Sequence, residues 1–310
     1  MSYQKIDKNI LNRKSDTLIN NLSRDEFDHT TLFILSSDDH GVVFNGGRKG
    51  ARLAPKVLLK EILKLPKYKV SQKIKYFESC TFNSIQNKEE FAKFQMKQIE
   101  VMASEISTDN NIIHFGGGHD HIYTFVKSLI SKRIVDENKI TILNFDAHLD
   151  TRSDDINHSG TPFRQLYNEH SNIEIIQLGI HEYANVQSSF DNIKMKVHTC
   201  DEIKNKTDNF DFKKSQKFID DIIKNIPKDH HIIISVDLDG FRASDIRAVS
   251  AVNHSGLPLH MLEHTIEVIK GQEKKVFLGI YEYNPLFDTL ACEDARKIAA
   301  IIYEKILMPY

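Results

Sequence analysis

The chain has 310 residues, 40% of them hydrophobic and 27% charged, with a formal net charge of −2. That balance suits a globular protein with a sizeable core and gives no electrostatic reason to expect a nucleic acid or an anionic membrane surface as partner. Cys80, Cys200 and Cys292 are odd in number and scattered, with no Cys-x-x-Cys pair, which fits a reducing cytoplasm. No stretch approaches the roughly 20 apolar residues of a membrane span, and residues 1–21 lack the apolar run of a secretory signal.

In chain order, residues 1–30 are polar, with weak spacing at Ile6, Ile10 and Leu11, and read as a short helical lead-in or mobile arm before a domain spanning 31–310. Residues 31–36 read as the first core strand, followed by a long glycine-rich loop over 39–51. Pro55 opens a helix over 54–63, because an N–H in the first turn has no helical partner to lose. Phe91, Phe94, Ile99, Met102 and Ile106 fall at helical spacing and belong on a sheet face. Strands at 111–115, 139–146, 174–180, 195–199, 231–237 and 275–281 then alternate with helices at 120–132, 163–167, 212–226 and 258–270. A long amphipathic helix over 287–306 closes the chain. Most histidines, such as His29, His170 and His230, read as surface residues. Strands separated by helices imply right-handed crossovers and a single α/β domain, a mainly parallel sheet covered by helices on both faces. Such sheets carry their sites at the carboxyl ends of the strands.

The segment 142–150, Ile-Leu-Asn-Phe-Asp-Ala-His-Leu-Asp, is an apolar run that ends in three polar side chains two residues apart. On a strand, Asp146, His148 and Asp150 would leave the end on one face. Two carboxylates and an imidazole suit a divalent cation of borderline hardness such as Mn2+. The plain alternative is a polar strand end facing solvent. A second apolar run ends in Asp237 and Asp239, and a third passes through Gly116-Gly117-Gly118 to His119 at a helix start. Carboxylates crowded at one sheet edge call for a cation to neutralise them. With His119, Asp146, His148, Asp150, Asp237 and Asp239 converging, two ions about 3.5–4 Å apart are favoured over one, as in two-metal hydrolytic sites.

The Gly-Gly-Gly-His-Asp, Asp-Ala-His-Leu-Asp and Ser-Val-Asp-Leu-Asp segments resemble, in order and spacing, the metal-binding signatures of the ureohydrolases, the arginase, agmatinase and formimidoylglutamase superfamily. Glu282-Tyr283-Asn284-Pro285 resembles that family's late Glu-x-Asn-Pro. The resemblance implies an arginase-like three-layer α/β/α fold and two Mn2+ per chain. One ion would be held by His119, Asp146, Asp150 and Asp237, the other by Asp146, His148, Asp237 and Asp239, with a bridging hydroxide as nucleophile. It also implies Asp150, Glu282 and His148 as catalytic groups, a small amidine or guanidine substrate, and a cytoplasmic homo-oligomer.

Local features resemble formimidoylglutamases more than arginases or agmatinases: Asn45-Gly46-Gly47-Arg48-x-Gly50-Ala51, Arg152, Ser159-Gly160-Thr161-Pro162-Phe163-Arg164, and Gly179-Ile180. The implied reaction is N-formimidoyl-L-glutamate plus water to L-glutamate and formamide, as in histidine degradation. Asn45, Arg48, Arg152, Ser159 and Arg164 would bind the substrate, since guanidinium is the preferred planar partner of a carboxylate. A solvated surface arginine is the alternative for each. Ser159 stands where arginases carry a loop histidine, with His158 beside it. Arg247 and Val252 stand at two places usually held by proline. Agmatinase, arginase and guanidinobutyrase activities remain the alternatives within the class. Outside it stand a binding protein that keeps the fold without turnover and a two-metal phosphoesterase, whose substrate Glu282 would repel.

Overall fold

The apolar runs that alternate with helical segments form eight described strands, hydrogen-bonded in parallel throughout, in one sheet of order β2-β1-β3-β8-β7-β4-β5-β6. The computed structural model describes residues 16–23, 30–81, 85, 87–107, 110–272 and 274–309. The strands are β1 (Thr30–Ser37), β2 (Lys73–Thr81), β3 (Asn111–Gly116), β4 (Ile140–Phe145), β5 (Glu174–Ile180), β6 (Lys196–Thr199), β7 (His231–Asp237) and β8 (Phe277–Tyr281). The helices are α1 (His40–Phe44), α2 (Ala54–Leu63), α3 (Lys88–Glu105), α4 (His121–Ser131), α5 (Pro162–Glu169), α6 (Cys200–Lys206), α7 (Phe212–Lys224), α8 (Leu259–Gly271) and α9 (Glu293–Ile302).

Successive side chains of a strand point to opposite faces, so each apolar run feeds two cores. Phe33, Ile113, Leu143, Ile234 and Leu278 pack with Leu58 of α2, Ile219 of α7, Ile266 of α8 and Ile298 of α9. Their neighbours Leu32, Ile112, Ile142, Ile233 and Phe277 pack with Met102 of α3, Phe125 of α4 and Phe163 of α5. This is the expected three-layer α/β/α arrangement, and strands buried on both faces explain the near-continuous apolar runs.

The threading decides where the site falls. β1 to β3 build one side of the sheet and β4 to β6 the other, and the last two strands, β7 and β8, fill the gap between β3 and β4. The four strands that carry the motifs, far apart in sequence, therefore end side by side at the centre of one edge.

Two expectations are corrected, and two elements lie where the sequence reading assigned none. The segment 73–81 carries no assignment in the sequence reading, but it is β2, an edge strand. Its lysines, Lys73 and Lys75 on either side of Ile74, help keep an edge strand soluble, and they weaken the apolar signal. The glycine-rich loop holds α1, and α6 lies in a stretch too polar to show a stripe. The closing helix starts at Glu293 rather than 287: Pro285–Phe287 is a single 3-10 turn, Leu286 and Leu290 are exposed, and the Asp288 carboxylate accepts the N–H groups of Asp294 and Ala295, both at 3.2 Å. It ends in a π turn over Tyr303–Leu307. Of the expected lead-in, residues 16–23 include a 3-10 turn, Leu18–Asn21, with Leu18 and Ile19 buried, and the Ser23 N–H donates to the Ile74 oxygen at 2.9 Å. Residues 1–15 and 24–29 lie outside the described residues.

His170 and His230 are partly exposed, as expected of surface residues, and His29 lies outside the described residues. Yet His40, His114, His121, His158 and His181, also outside the motifs' ligand positions, are buried. No described helix is long and apolar enough to cross a membrane.

Candidate metal centre

Each site residue leaves the carboxyl end of a central strand or the helix start beyond it. His119 follows β3, Asp146, His148 and Asp150 follow β4, Asp237 ends β7, Asp239 sits in the 3-10 turn Leu238–Gly240, and Glu282 follows β8. Asp150 and Glu282 both have left-handed backbones, with φ of 50° and 63°. That conformation is costly for residues with a Cβ and collects at functional sites. The turn from β3 to His119 needs glycine for space: a Cβ on Gly117 would stand 1.8 Å from the Asp38 backbone oxygen.

His119 Nδ1 lies 2.8 Å from Asp150 Oδ2, 3.0 Å from Asp146 Oδ2 and 3.3 Å from Asp237 Oδ2. None of these pairs has hydrogen-bond geometry, so the buried Nδ1 is without a hydrogen-bond partner. Nε2 on the other side of the ring lies 2.8 Å from Ser235 Oγ. If Nε2 donates there, Nδ1 presents a lone pair to three carboxylates, an arrangement that a shared cation resolves. These four side chains form one group able to hold a metal, and Asp146, His148 and Asp239 form another. His148 Nδ1 is 3.5 Å from both Asp146 Oδ1 and Asp239 Oδ1. Asp146 belongs to both groups, as a bridging ligand would. Asp237 stands in the first group, and its Oδ1 accepts the Asp239 N–H at 2.9 Å.

The electrostatics express the crowding. Burial, and then the Asp146 charge, push Asp150 up to about 6. Burial, followed by the Asp239 charge, drives Asp237 and Glu282 well above the ordinary carboxylate range. Burial would raise Asp146 too, but the His119 and His148 rings hold it below that range. His148 is raised, chiefly by Asp239, and His119 is raised by Asp146, Asp150 and Asp237 against the effect of its own burial. Buried carboxylates short of countercharge are the condition a divalent cation relieves.

Above this floor opens a cavity of about 390 Å³, lined at the bottom by His148, Asp150, Asp237, Asp239 and Glu282. Asn45, Arg48, Arg152 and Ser159 line its outer wall. Arg152 donates to Asn45 Oδ1, its terminal nitrogen lies 2.8 Å from His158 Nε2, and its Nε is 3.1 Å from Asp154 Oδ2. Asn45 Nδ2 donates to Ser159 Oγ at 2.9 Å. Arg48 stacks 4.2 Å over the Phe287 ring and donates to the Val249 oxygen at 3.3 Å. Arg164 is the exception and does not line the cavity. Its guanidinium is spent on the backbone oxygens of Thr151 (2.9 Å), Asp191 (2.9 Å) and Asn192 (3.2 Å), where it braces the loop beyond the site.

The Arginase family model matches residues 40–308. The chain belongs to the arginase family. A formimidoylglutamase of Staphylococcus aureus is 28% identical over 254 residues, which covers 81% of this chain and 77% of that one. The crystal structure of a Bacillus subtilis formimidoylglutamase superposes with a TM-score of 0.76 at 21% identity, over 97% of this chain and 92% of that one. A Trypanosoma cruzi formiminoglutamase, whose crystal structure is with Mn2+, gives 0.72 at 22% identity, over 94% and 98%.

In this arginase-family chain the sequence reading missed part of the cavity wall: Ala184, Asn185, Val186 and Ser189 beyond β5, and Ser250 and Ala251 beyond β7. Asn185 also holds the ligand loop, accepting the Leu149 N–H at 2.8 Å. These segments carry no motif, and their only signal is position after a strand's carboxyl end. Asn284 of the late Glu-x-Asn-Pro is not in the wall. It donates to the Lys49 oxygen at 3.0 Å, and so ties the loop of Asn45 and Arg48 to the end of β8.

Proposed function

We propose that this chain is a metal-dependent hydrolase of linear amidines, cleaving N-formimidoyl-L-glutamate to L-glutamate and formamide. The observation that carries the reading is the convergence of His119, Asp146, Asp150 and Asp237 on one point beneath a cavity whose outer wall is cationic. His119, Asp146, Asp150 and Asp237 would hold one Mn2+, and Asp146, His148 and Asp239 a second. A divalent pair, when bound, supplies activation of water near neutral pH.

The remaining steps fall to the chain's own side chains. Glu282, buried and facing the cavity floor, holds and orients the cationic amidine head. Water adds to the amidine carbon and the C–N bond to the glutamate nitrogen breaks. Asp150 takes the proton from water and returns it to the leaving nitrogen. His148, one third exposed at the cavity floor, exchanges protons with solvent.

The tail assignment rests on charge. The acids among the lining residues lie on the floor, and the outer wall has Arg48 and Arg152 with Asn45, Ser159, Asn185 and Ser189. A dicarboxylate tail fits this wall and a diamine tail does not, which favours formimidoyl-glutamate over agmatine. Arg152 would exchange its contacts with Asn45 and Asp154 for a substrate carboxylate. Three free cysteines are compatible with a cytoplasmic setting, and exposed Leu53, Leu286 and Leu290 with self-association.

The test is a Mn2+-loaded assay of N-formimidoyl-L-glutamate, arginine, agmatine and guanidinobutyrate side by side. Release of glutamate and formamide at the highest kcat/KM of the four is expected. Urea release from a guanidine substrate at higher efficiency would replace the tail assignment, and inertness toward all four would remove the hydrolase reading.

A further inference from the structure

A separate group of ionisable side chains is buried next to the glycine turn and takes no part in the centre described above. Asp38 follows β1, and Asp120 and His121 stand at the start of α4; each is at most 1% exposed. Each offers a ligand atom, and these atoms all lie within 4.8 Å of one another. His121 Nε2 is 3.8 Å from Asp38 Oδ1 and 3.3 Å from the Asp38 backbone oxygen. Asp120 Oδ1 and His121 Nδ1 are buried without a hydrogen-bond partner. The Asp120 carboxylate rests against two glycines: a Cβ on Gly41 would come within 1.9 Å of Oδ1, and one on Gly118 within 2.4 Å. The two glycines thus leave the room that this carboxylate occupies, packed against their backbone.

The charges nearby do not balance. Asp38 is paired with His40, whose ring and backbone N–H both meet its carboxylate. Asp39 has Arg52 at 3.7 Å and the Gly50 N–H at 2.7 Å. Asp120 forms no ion pair among the described residues. A carboxylate withdrawn from water with one oxygen unbonded is costly, and two carboxylates beside an imidazole form a donor set suited to a divalent ion of borderline hardness.

We propose that Asp38, Asp120 and His121 form a third divalent-cation site, separate from the catalytic pair, that takes Mn2+ or Zn2+. Its role is structural. An ion held there ties the end of β1 to the start of α4, and so fixes α1 and the loop with Asn45 and Arg48 that follows it. The site stands on its own donors and does not depend on which amidine the enzyme cleaves.

The test is the number of ions per chain, measured by mass spectrometry of the full-length protein after equilibration with Mn2+ and desalting. Wild type, Asp120→Asn, His121→Gln and Asp146→Asn are compared, with circular dichroism as the check on folding. An ion lost in Asp120→Asn and His121→Gln but kept in Asp146→Asn is expected. In Asp146→Asn it should give the six-line paramagnetic resonance of an isolated Mn2+. Wild-type counts in both Asp120→Asn and His121→Gln, or no ion in Asp146→Asn, would overturn the site. If the first two variants fail to fold, Asp38→Asn takes their place, and a wild-type count in it would overturn the site. Failure of the catalytic pair reads differently: a wild type with one ion that Asp146→Asn keeps and Asp120→Asn loses.

Discussion

Asp146 is the side chain on which the two candidate metal groups meet, and its charge is held by His119 and His148 on either side. Under the proposed assignment Asp146→Asn removes a ligand from both ions together while leaving β4 unchanged in shape. Activity is expected to fall to background and metal content to drop by about two ions per chain, read by metal analysis of the folded variant. Full activity with one ion or none would rule out the two-metal reading.

Glu282 gives a separable prediction, because it accepts the His119 N–H at 3.1 Å but stands in neither metal group. Glu282→Gln keeps size and hydrogen bonding and removes the charge, so kcat/KM should fall by roughly 10²–10³-fold with metal content unchanged. Metal loss in this variant would make Glu282 a ligand rather than a substrate anchor. Arg152→Ala tests the tail: loss of a charge-assisted bond worth roughly 1.5–3 kcal/mol should raise KM for formimidoyl-glutamate by a factor on the order of 10 to 100. An unchanged KM would take Arg152 out of the substrate site.

At the scale of elements, the turn between β3 and α4 positions His119 by close approach of backbone to backbone. The Gly117 Cα faces the Asp38 oxygen across a gap with no room for a methyl group, and the Gly117 oxygen accepts the Glu282 N–H at 2.9 Å. Gly117→Ala must push the end of β1 away from β3. Such overpacking typically costs about 1–3 kcal/mol, and the displaced His119 should also weaken metal binding. Thermal melting with and without Mn2+ checks this, and a variant as stable and as metal-retentive as wild type would show that the turn has slack.

For the whole molecule, the centre couples folding to metal and to pH. Without metal, burial and Asp146 raise Asp150 from its ordinary 3.8 to about 6. A carboxyl raised on folding contributes stability that is present below the lower value and is lost as pH rises through the higher one. The metal-free chain should therefore lose stability between about pH 4 and 6, with the neighbouring raised carboxyls acting in the same direction. Divalent metal acts oppositely, because it binds the deprotonated ligands and is favoured as pH rises. Calorimetry of chelated protein should show a melting temperature that falls with rising pH, and a Mn2+-induced increase that is larger at pH 8 than at pH 5. A pH-independent increase would mean that the ligands lose no protons on binding.

What the sequence by itself determined is what depends on neighbours along the chain. The run 142–150 carries its ligands at a spacing of two, which placed Asp146, His148 and Asp150 together at one strand end; the strand stops at Phe145, however, and the loop with its left-handed Asp150, not strand alternation, sets where they point. The apolar runs likewise indicated strands covered on both sides. The tertiary structure decided which strands are neighbours, because a crossover leaves no trace of where it returns, and the insertion of β7 and β8 between β3 and β4 is what brings Asp237, Asp239 and Glu282 to the others. It also divided the ligands into groups, turned Arg164 onto backbone oxygens of a loop 27 and 28 residues ahead, and buried Asp38 beside Asp120 and His121, residues 83 positions apart at their farthest. A charged side chain reads the same in sequence whether solvent or a buried carboxylate will face it. Only packing of distant segments removes the water and makes that difference physical.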